Sequence, residues 1–253
     1  PKILEVALYN GTDPRSGVTL HKNCNGKDLA TFESFSEVWE AFIDQMKYYA
    51  RIHVVMDNMT DKLWEEYMEE PLTSIMGCTL TVLERGKSIS RGGAKYDFTG
   101  NETIGTANTG NSLYAIKKLI FDDHILTGSQ LKHALQTNFQ DMSTTPTGPQ
   151  IQQICLNVDK YGNDKKDVDM MVSKVLESVC EELPKYKNTR YGRGPIGGIF
   201  QASTTTVSSN TPFGLLTGAL PDGRPAETAH SDGQSPMRGT DTLGPTAAVR
   251  SVS

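Results

Sequence analysis

Residues able to do acid–base or nucleophilic chemistry are present but scattered. His230, Ser231 and Asp232 are consecutive, and a hydrolase would use these types as base, nucleophile and orienting acid. The G-x-S-x-G elbow that presents such a serine is missing from the sequence. His230 lies in a stretch dense in Gly, Pro, Asp, Ser and Thr, so it reads as a solvated loop histidine. His53 falls inside a long helical pattern and reads as a packed or boundary residue. Cys24, Cys78, Cys155 and Cys180 are too far apart for a zinc site or a redox pair; they read as free buried thiols, and no metal is expected. Cys78, in MGCTLTV, sits in a helical pattern between Leu72 and Leu83 and lacks the activating neighbour a catalytic thiol needs. The acidic pairs Glu65–Glu66, Glu69–Glu70, Asp122–Asp123 and Glu181–Glu182 read as solvated helix faces. Arg91-Gly92-Gly93 and the run from Gly105 to Asn111 match neither phosphate-binding glycine pattern. They read as tight turns between strand and helix.

The elements that must position these residues alternate in type. Ser34-Phe35-Ser36-Glu37 forms a capping box ahead of a long helix with Val38, Phe42, Met46, Tyr49, Ile52, Val55 and Met59 on one face, running to about Tyr67. Pro71 closes it, and a second helix is expected over 72–84. Ala94 to Phe98 reads as a short strand, and Asn111 or Ser112 starts a helix. Thr127 caps another that ends near Phe139, 141–150 is a polar loop and candidate flexible insertion, and Asp164 caps a helix that Pro184 ends. Ile199 to Ser209 is rich in β-branched residues and reads as a buried strand. About 40 residues without helical period follow, in which P-F-G, P-D-G-R and G-P-T favour ordered turns. The class is α/β.

The chain has 253 residues, 37% hydrophobic and 22% charged, with a net charge of −5. That composition supports a buried core and argues against nucleic acid and anionic membrane as partners. No apolar run is long enough to span a bilayer, and the N-terminus lacks a signal-peptide core, so a cytoplasmic protein is expected. The chain does not begin with Met, and an interior segment of a larger enzyme is expected.

Six blocks carry a family resemblance. KILEVALYNGTDPRSG, ERGKSISRGGAKYDFTG, NSLYAIKKLIFDD, KYGNDKKDVD, TVSSNTPFGLLTGALPDGRPA and SDGQSPMRGTDTLGPTAAVRSVS resemble, in order, the pyruvate formate-lyase-like domain of glycyl radical enzymes. Together they span the chain apart from the loop at 141–150. The resemblance implies part of a ten-stranded α/β barrel, about half of it, with surrounding helices. It implies a glycyl radical, installed by a separate S-adenosylmethionine iron–sulfur activating enzyme and relayed to a cysteine that abstracts hydrogen from a small-molecule substrate. The family's reactive cysteine lies upstream of the KILE block and its radical glycine well beyond Ser253, so no catalytic residue is assigned here and this segment alone is expected to be inactive. RGGAKYDFTG and ALPDGR resemble the dehydratase and lyase branch; formate C-acetyltransferase is second, and a non-catalytic scaffold or binding module is third. A stand-alone segment would leave open sheet edges that no charge or proline pattern guards. The full-length protein is expected to be a homodimer.

In the resemblance the segment from Thr204 to Asn210 is a strand that enters the barrel. Alternate side chains of a strand share a face. Either Thr204, Thr206 and Ser208, or Thr205, Val207 and Ser209, would then face the substrate; the other reading is that the threonines fill the barrel wall. Relatives often carry an aromatic near Thr205. The substrate-binding candidates are Thr204, Thr205, Thr206, Ser208 and Asn210.

Overall fold

The computed structural model describes residues 1–67, 79–205 and 208–253. Cys78, Thr206, Val207, Glu69, Glu70 and most of the helix expected over 72–84 lie outside the described residues. The helices are α1 (Lys2–Leu8), α2 (Phe35–Tyr67), α3 (Thr79–Arg85), α4 (Thr106–Ile116), α5 (Gly128–Gln136), α6 (Gly148–Asn157), α7 (Lys166–Glu182), α8 (Asn210–Leu215) and α9 (Pro245–Val252). The strands are β1 (Tyr96–Glu102) and β2 (Ile196–Ser203), which pair in parallel, as α/β proteins do. The chain divides into two compact units. One comprises 1–46, 103–178 and 204–253, the other 47–102 and 179–203.

The larger unit holds the main core. Leu4 and Leu8 of α1, Val38 and Phe42 of α2, Leu113 and Ile116 of α4, Leu131 and Leu135 of α5, Ile151 and Cys155 of α6 and Val175 of α7 form one buried cluster. α2 starts where the sequence placed it, with Ser34 Oγ accepting from the Glu37 N–H at 3.4 Å. The Glu37 carboxylate returns to the Glu33 N–H at 2.8 Å instead of to Ser34. Thr127 and Gln130 complete the capping box of α5. α6 was not anticipated: residues 148–150, assigned to the polar loop, form its first turn, with Thr147 and Gln150 as a second capping box. Asp164 does not cap α7. It stands at φ 53° and accepts from Arg250 at 3.1 Å.

α4 begins five residues earlier than Asn111, because the glycine-rich run is helical. Gly105, at φ 71°, is its N-cap, and every residue from Thr106 to Ile116 is buried. Gly110 faces Val172 of α7, where a Cβ would stand 2.3 Å from Val172 Cγ2 and 2.8 Å from its Cα. A side chain there would hold the two helices apart.

The smaller unit is built on the strand pair. Val54 of α2, Leu183 and Phe200 form its buried cluster. Arg190 donates to Asp97 and Asp61, each at 2.5 Å. Glu65 accepts from Arg193 at 2.5 Å, and this pairing, together with that to Lys62, lowers its carboxyl to about 2. Glu182 is buried, accepting from Tyr186 Oη at 2.7 Å and Lys185 Nζ at 2.8 Å. Glu65 and Glu182 are therefore bonded side chains, not the solvated ones expected of acidic pairs. His53 is exposed on α2, 3.4 Å from Asp57.

β2 ends at Ser203, not at Ser209. Its pairing with β1 ends at the Glu102–Ser203 register position. Thr204 and Thr205 are in neither helix nor strand. Ser208 and Ser209 form a turn whose carbonyls accept from the Thr211 and Phe213 N–H groups, which starts α8. Pro212 falls in the first turn of that helix, where a missing N–H costs little.

Candidate functional site

Of the five substrate-binding candidates, Thr204 is half-buried, Thr205 and Ser208 are exposed, Asn210 is buried and Thr206 lies outside the described residues. Among the described residues of the segment, Thr204, Thr205, Ser208 and Asn210 are not in a strand, so strand alternation does not sort them into two faces. Two contacts fix it. The His230 N–H donates to the Asn210 carbonyl at 3.1 Å, and Asn210 Nδ2 donates back to the His230 carbonyl at 3.3 Å. A Cβ on Gly233 would lie 3.1 Å from the Thr204 carbonyl oxygen. Thr204 and Asn210 are thus backed by Gly233 and His230, and Thr205 and Ser208 are exposed.

Residues 230–233 are held in turn from α4. Asn108 Oδ1 accepts from the Ser231 N–H at 2.6 Å, and its Nδ2 donates to Asp222 Oδ2 at 2.7 Å. Ser112 Oγ accepts from the Asp222 N–H at 3.3 Å. The Arg224 N–H closes on Asp222 Oδ1 at 3.1 Å, the Asx geometry a P-D-G-R sequence favours. The Arg224 guanidinium donates to the carbonyls of Gly218, Gly214 and Thr228. Glu5 accepts from the Gly218 N–H at 2.8 Å and from Lys2 at 2.6 Å. The C-terminal stretch is therefore ordered by buried polar contacts rather than by an apolar face, as satisfied polar networks allow.

The electrostatics follow from that burial. Asp222 is fully buried, and desolvation raises its carboxyl despite the hydrogen bonds from Asn108 and the Arg224 N–H. Burial lowers the Arg224 guanidinium and the Lys160 ammonium, whose partners are the carbonyls of Cys155, Leu156 and Val158. Each Asp222 oxygen already accepts one hydrogen bond, so this carboxylate serves as a brace and not as a base.

His230 corrects the sequence reading. It is 1% exposed, with Nε2 3.1 Å from Thr217 Oγ1. Burial, reinforced by the charges of the Pro1 ammonium and Arg224, lowers its imidazole to about 2. The ring is neutral and packed, not solvated, because Gly105 brings its backbone against it: a Cβ there would be 3.1 Å from His230 Cβ. Periodicity could not have found Asn108, Asp222, Arg224 and His230, whose partners lie far away in sequence. Their one signal was an acidic and a basic residue framing the glycine of a turn.

A cavity of about 200 Å³ lies beside Glu5, Tyr9, Arg15, Asn138, Gly218 and Glu227, and among the described residues none of 204–210 lines it. Among the described residues no group of three or more His, Cys, Asp or Glu side chains could hold a metal ion, and no helix is long and apolar enough to cross a membrane. Cys155 is buried, whereas Cys24 and Cys180 are exposed, so only part of the buried-thiol expectation is met. Burial raises the Cys155 thiol to about 12.

The family model described as pyruvate formate lyase-like matches residues 1–214. The chain is 39% identical to "Probable dehydratase YbiW" of Escherichia coli K12, covering 99% of this chain and 30% of that protein. It is 31% identical to trans-4-hydroxy-L-proline dehydratase of Clostridioides difficile, with the same coverage. A structure described as 1,2-propanediol dehydration in Roseburia inulinivorans superposes with a TM-score of 0.87 at 36% identity, over 99% of this chain and 30% of that one. The hydroxyproline dehydratase of Clostridioides difficile, with its substrate bound, superposes at 0.88 and 30% identity, again over 99% and 30%. The chain spans about 30% of the length of the relatives it matches. With its α/β class, the order of its blocks and this likeness in agreement, the chain belongs to the pyruvate formate-lyase-like family, among relatives that are glycyl radical dehydratases and decarboxylases.

Proposed function

We propose that these 253 residues form one part of a glycyl radical lyase or dehydratase that cleaves a C–O, C–N or C–C bond of a small substrate. The supporting observation is the likeness, over 99% of the chain, to solved structures whose descriptions concern the dehydration of small hydroxylated molecules. The dehydratase reading is favoured over C–C cleavage because the first two relatives are described as dehydratases.

The radical chemistry would be supplied by a glycyl radical, introduced by an S-adenosylmethionine iron–sulfur activating enzyme, and by a cysteine, both contributed by polypeptide other than these residues. This chain would bind and orient substrate. Thr204, Thr205, Thr206, Ser208 and Asn210 are the residues assigned to that role, with the exposed hydroxyls of Thr205 and Ser208 suited to a substrate's hydroxyl or carboxylate groups. Asn210 positions the segment through His230. The chain as a whole would be a partial barrel domain of a cytoplasmic homodimer.

The test is an anaerobic assay of the activated full-length protein with glycerol, 1,2-propanediol, trans-4-hydroxyproline and choline, beside pyruvate with coenzyme A. Water loss from a hydroxylated substrate is expected. Formate from pyruvate and coenzyme A would contradict the reading.

A further inference from the structure

The second half of α2 is turned the opposite way from an ordinary surface helix. Asp57, Asp61 and Glu65 face the rest of the smaller unit. Asp57 accepts from Asn101 at 3.1 Å, Asp61 from Arg190 at 2.5 Å and Thr189 at 3.1 Å, and Glu65 from Arg193. These acids recur every four residues and so share one stripe. The other side carries Val55, Met56, Met59, Leu63 and Tyr67, each 54 to 73% exposed. A surface helix ordinarily puts its apolar stripe inward and its charges outward. Here the inward charges are satisfied by arginine, asparagine and threonine, so the orientation is fixed and the apolar side is left facing out. Isolated exposed apolar residues are common, but five large ones along one helix face form a patch of the kind that marks an interaction surface. From Val55 to Tyr67 the stripe is about 18 Å long at 1.5 Å per residue.

The relatives indicate what covers it. This chain accounts for 30% of the length of the first of them, so most of such a protein is polypeptide without a counterpart here. A covering segment in the same chain is held at high effective concentration and avoids the association entropy a separate partner must overcome. We propose that the stripe Val55, Met56, Met59, Leu63 and Tyr67 is an internal packing surface, covered by an apolar segment of the same polypeptide outside residues 1–253. This rests on the reading above that the chain is one part of a protein of the relatives' length.

The test is photo-cross-linking in the full-length protein, with a photoreactive amino acid replacing Met59 or Leu63. Isotope-labelled and unlabelled subunits are mixed before irradiation. The expected product joins residue 59 or 63 to a peptide outside residues 1–253 with no mixed-isotope pairs. A cross-link within residues 1–253, a mixed-isotope pair marking a second copy, or no cross-link would each overturn the proposal. Should those variants fail to fold, Met56→Cys is a smaller change. Its thiol, followed by peptide mapping, should react with maleimide at least 100-fold slower in native than in denatured protein. Reaction within tenfold of the denatured rate would overturn the proposal. Neither readout uses activity, so a protein inactive on every diol and amine tested could still show the cross-link, and the two readings fail separately.

Discussion

Asn108 Nδ2 lies 2.7 Å from Asp222 Oδ2, and both residues are fully buried. This bond ties the first turn of α4 to a loop 114 residues later. Because Asn108 Oδ1 also receives the Ser231 N–H, one side chain orders both ends of the stretch behind the 204–210 segment.

Asn108→Ala should therefore be strongly destabilising. It strips a donor from a buried carboxylate and an acceptor from a buried N–H, and each loss costs on the order of 1–3 kcal/mol. Thermal unfolding of the full-length protein should show a fall of several degrees. A double-mutant cycle with Asp222→Asn should show coupling of at least about 0.5 kcal/mol. Additive effects would contradict the contact.

Gly110→Ala tests the approach of α4 to α7. Alanine normally stabilises a helix interior relative to glycine by roughly 0.5–1 kcal/mol. Here the added Cβ would stand 2.3 Å from Val172 Cγ2 and 2.8 Å from Val172 Cα, and overpacking costs about 1–3 kcal/mol. The net effect should be a lower melting temperature. A rise would show that the helices are further apart than described.

His230 sets a pH dependence. Burial holds its folded-state pKa below the ordinary imidazole value of about 6.5. Between those values the unfolded chain binds a proton that the folded chain refuses, so stability is lost as pH falls below about 6.5. The slope from this group approaches about 1.4 kcal/mol per pH unit at most. Denaturant unfolding of the full-length protein between pH 7 and 5 should show this loss, and His230→Gln should flatten it. An unchanged slope in the variant would remove His230 as its source.

Ser208→Phe probes the proposed substrate segment. Ser208 is exposed at a turn, so the variant should keep the parent's melting temperature within a degree or so, as surface substitutions usually do. kcat/KM on the preferred substrate should fall by at least about tenfold, or roughly 1.4 kcal/mol of transition-state stabilisation. Unchanged kinetics would remove Ser208 from the site.

The sequence made visible what depends on local pattern. The start of α2 at Phe35 and the Thr127 cap are set by hydroxyl caps over a few residues. The α/β class and the order of the blocks were legible for the same reason. The start of α4 at Thr106, five residues before the expected one, was hidden because Asn108 is buried by bonding to distant loops, which breaks the apolar period. The end of β2 was hidden because a strand stops where its partner stops, and β1 ends at Glu102. The solvated reading of His230 failed since nothing local announces that Gly105, 125 positions away, leaves room for its ring. The outward turn of the apolar stripe of α2 was not legible, because periodicity reports that an apolar side exists and not which way it points.

The most direct measurement is a paired one on the full-length protein after anaerobic activation: electron paramagnetic resonance for a glycyl radical, and product analysis with a hydroxylated substrate. The account predicts a glycyl radical signal that disappears on exposure to oxygen, and water loss from a diol or hydroxy amino acid. A protein that acquires no radical, or one that acquires it and forms formate from pyruvate and coenzyme A, would contradict it.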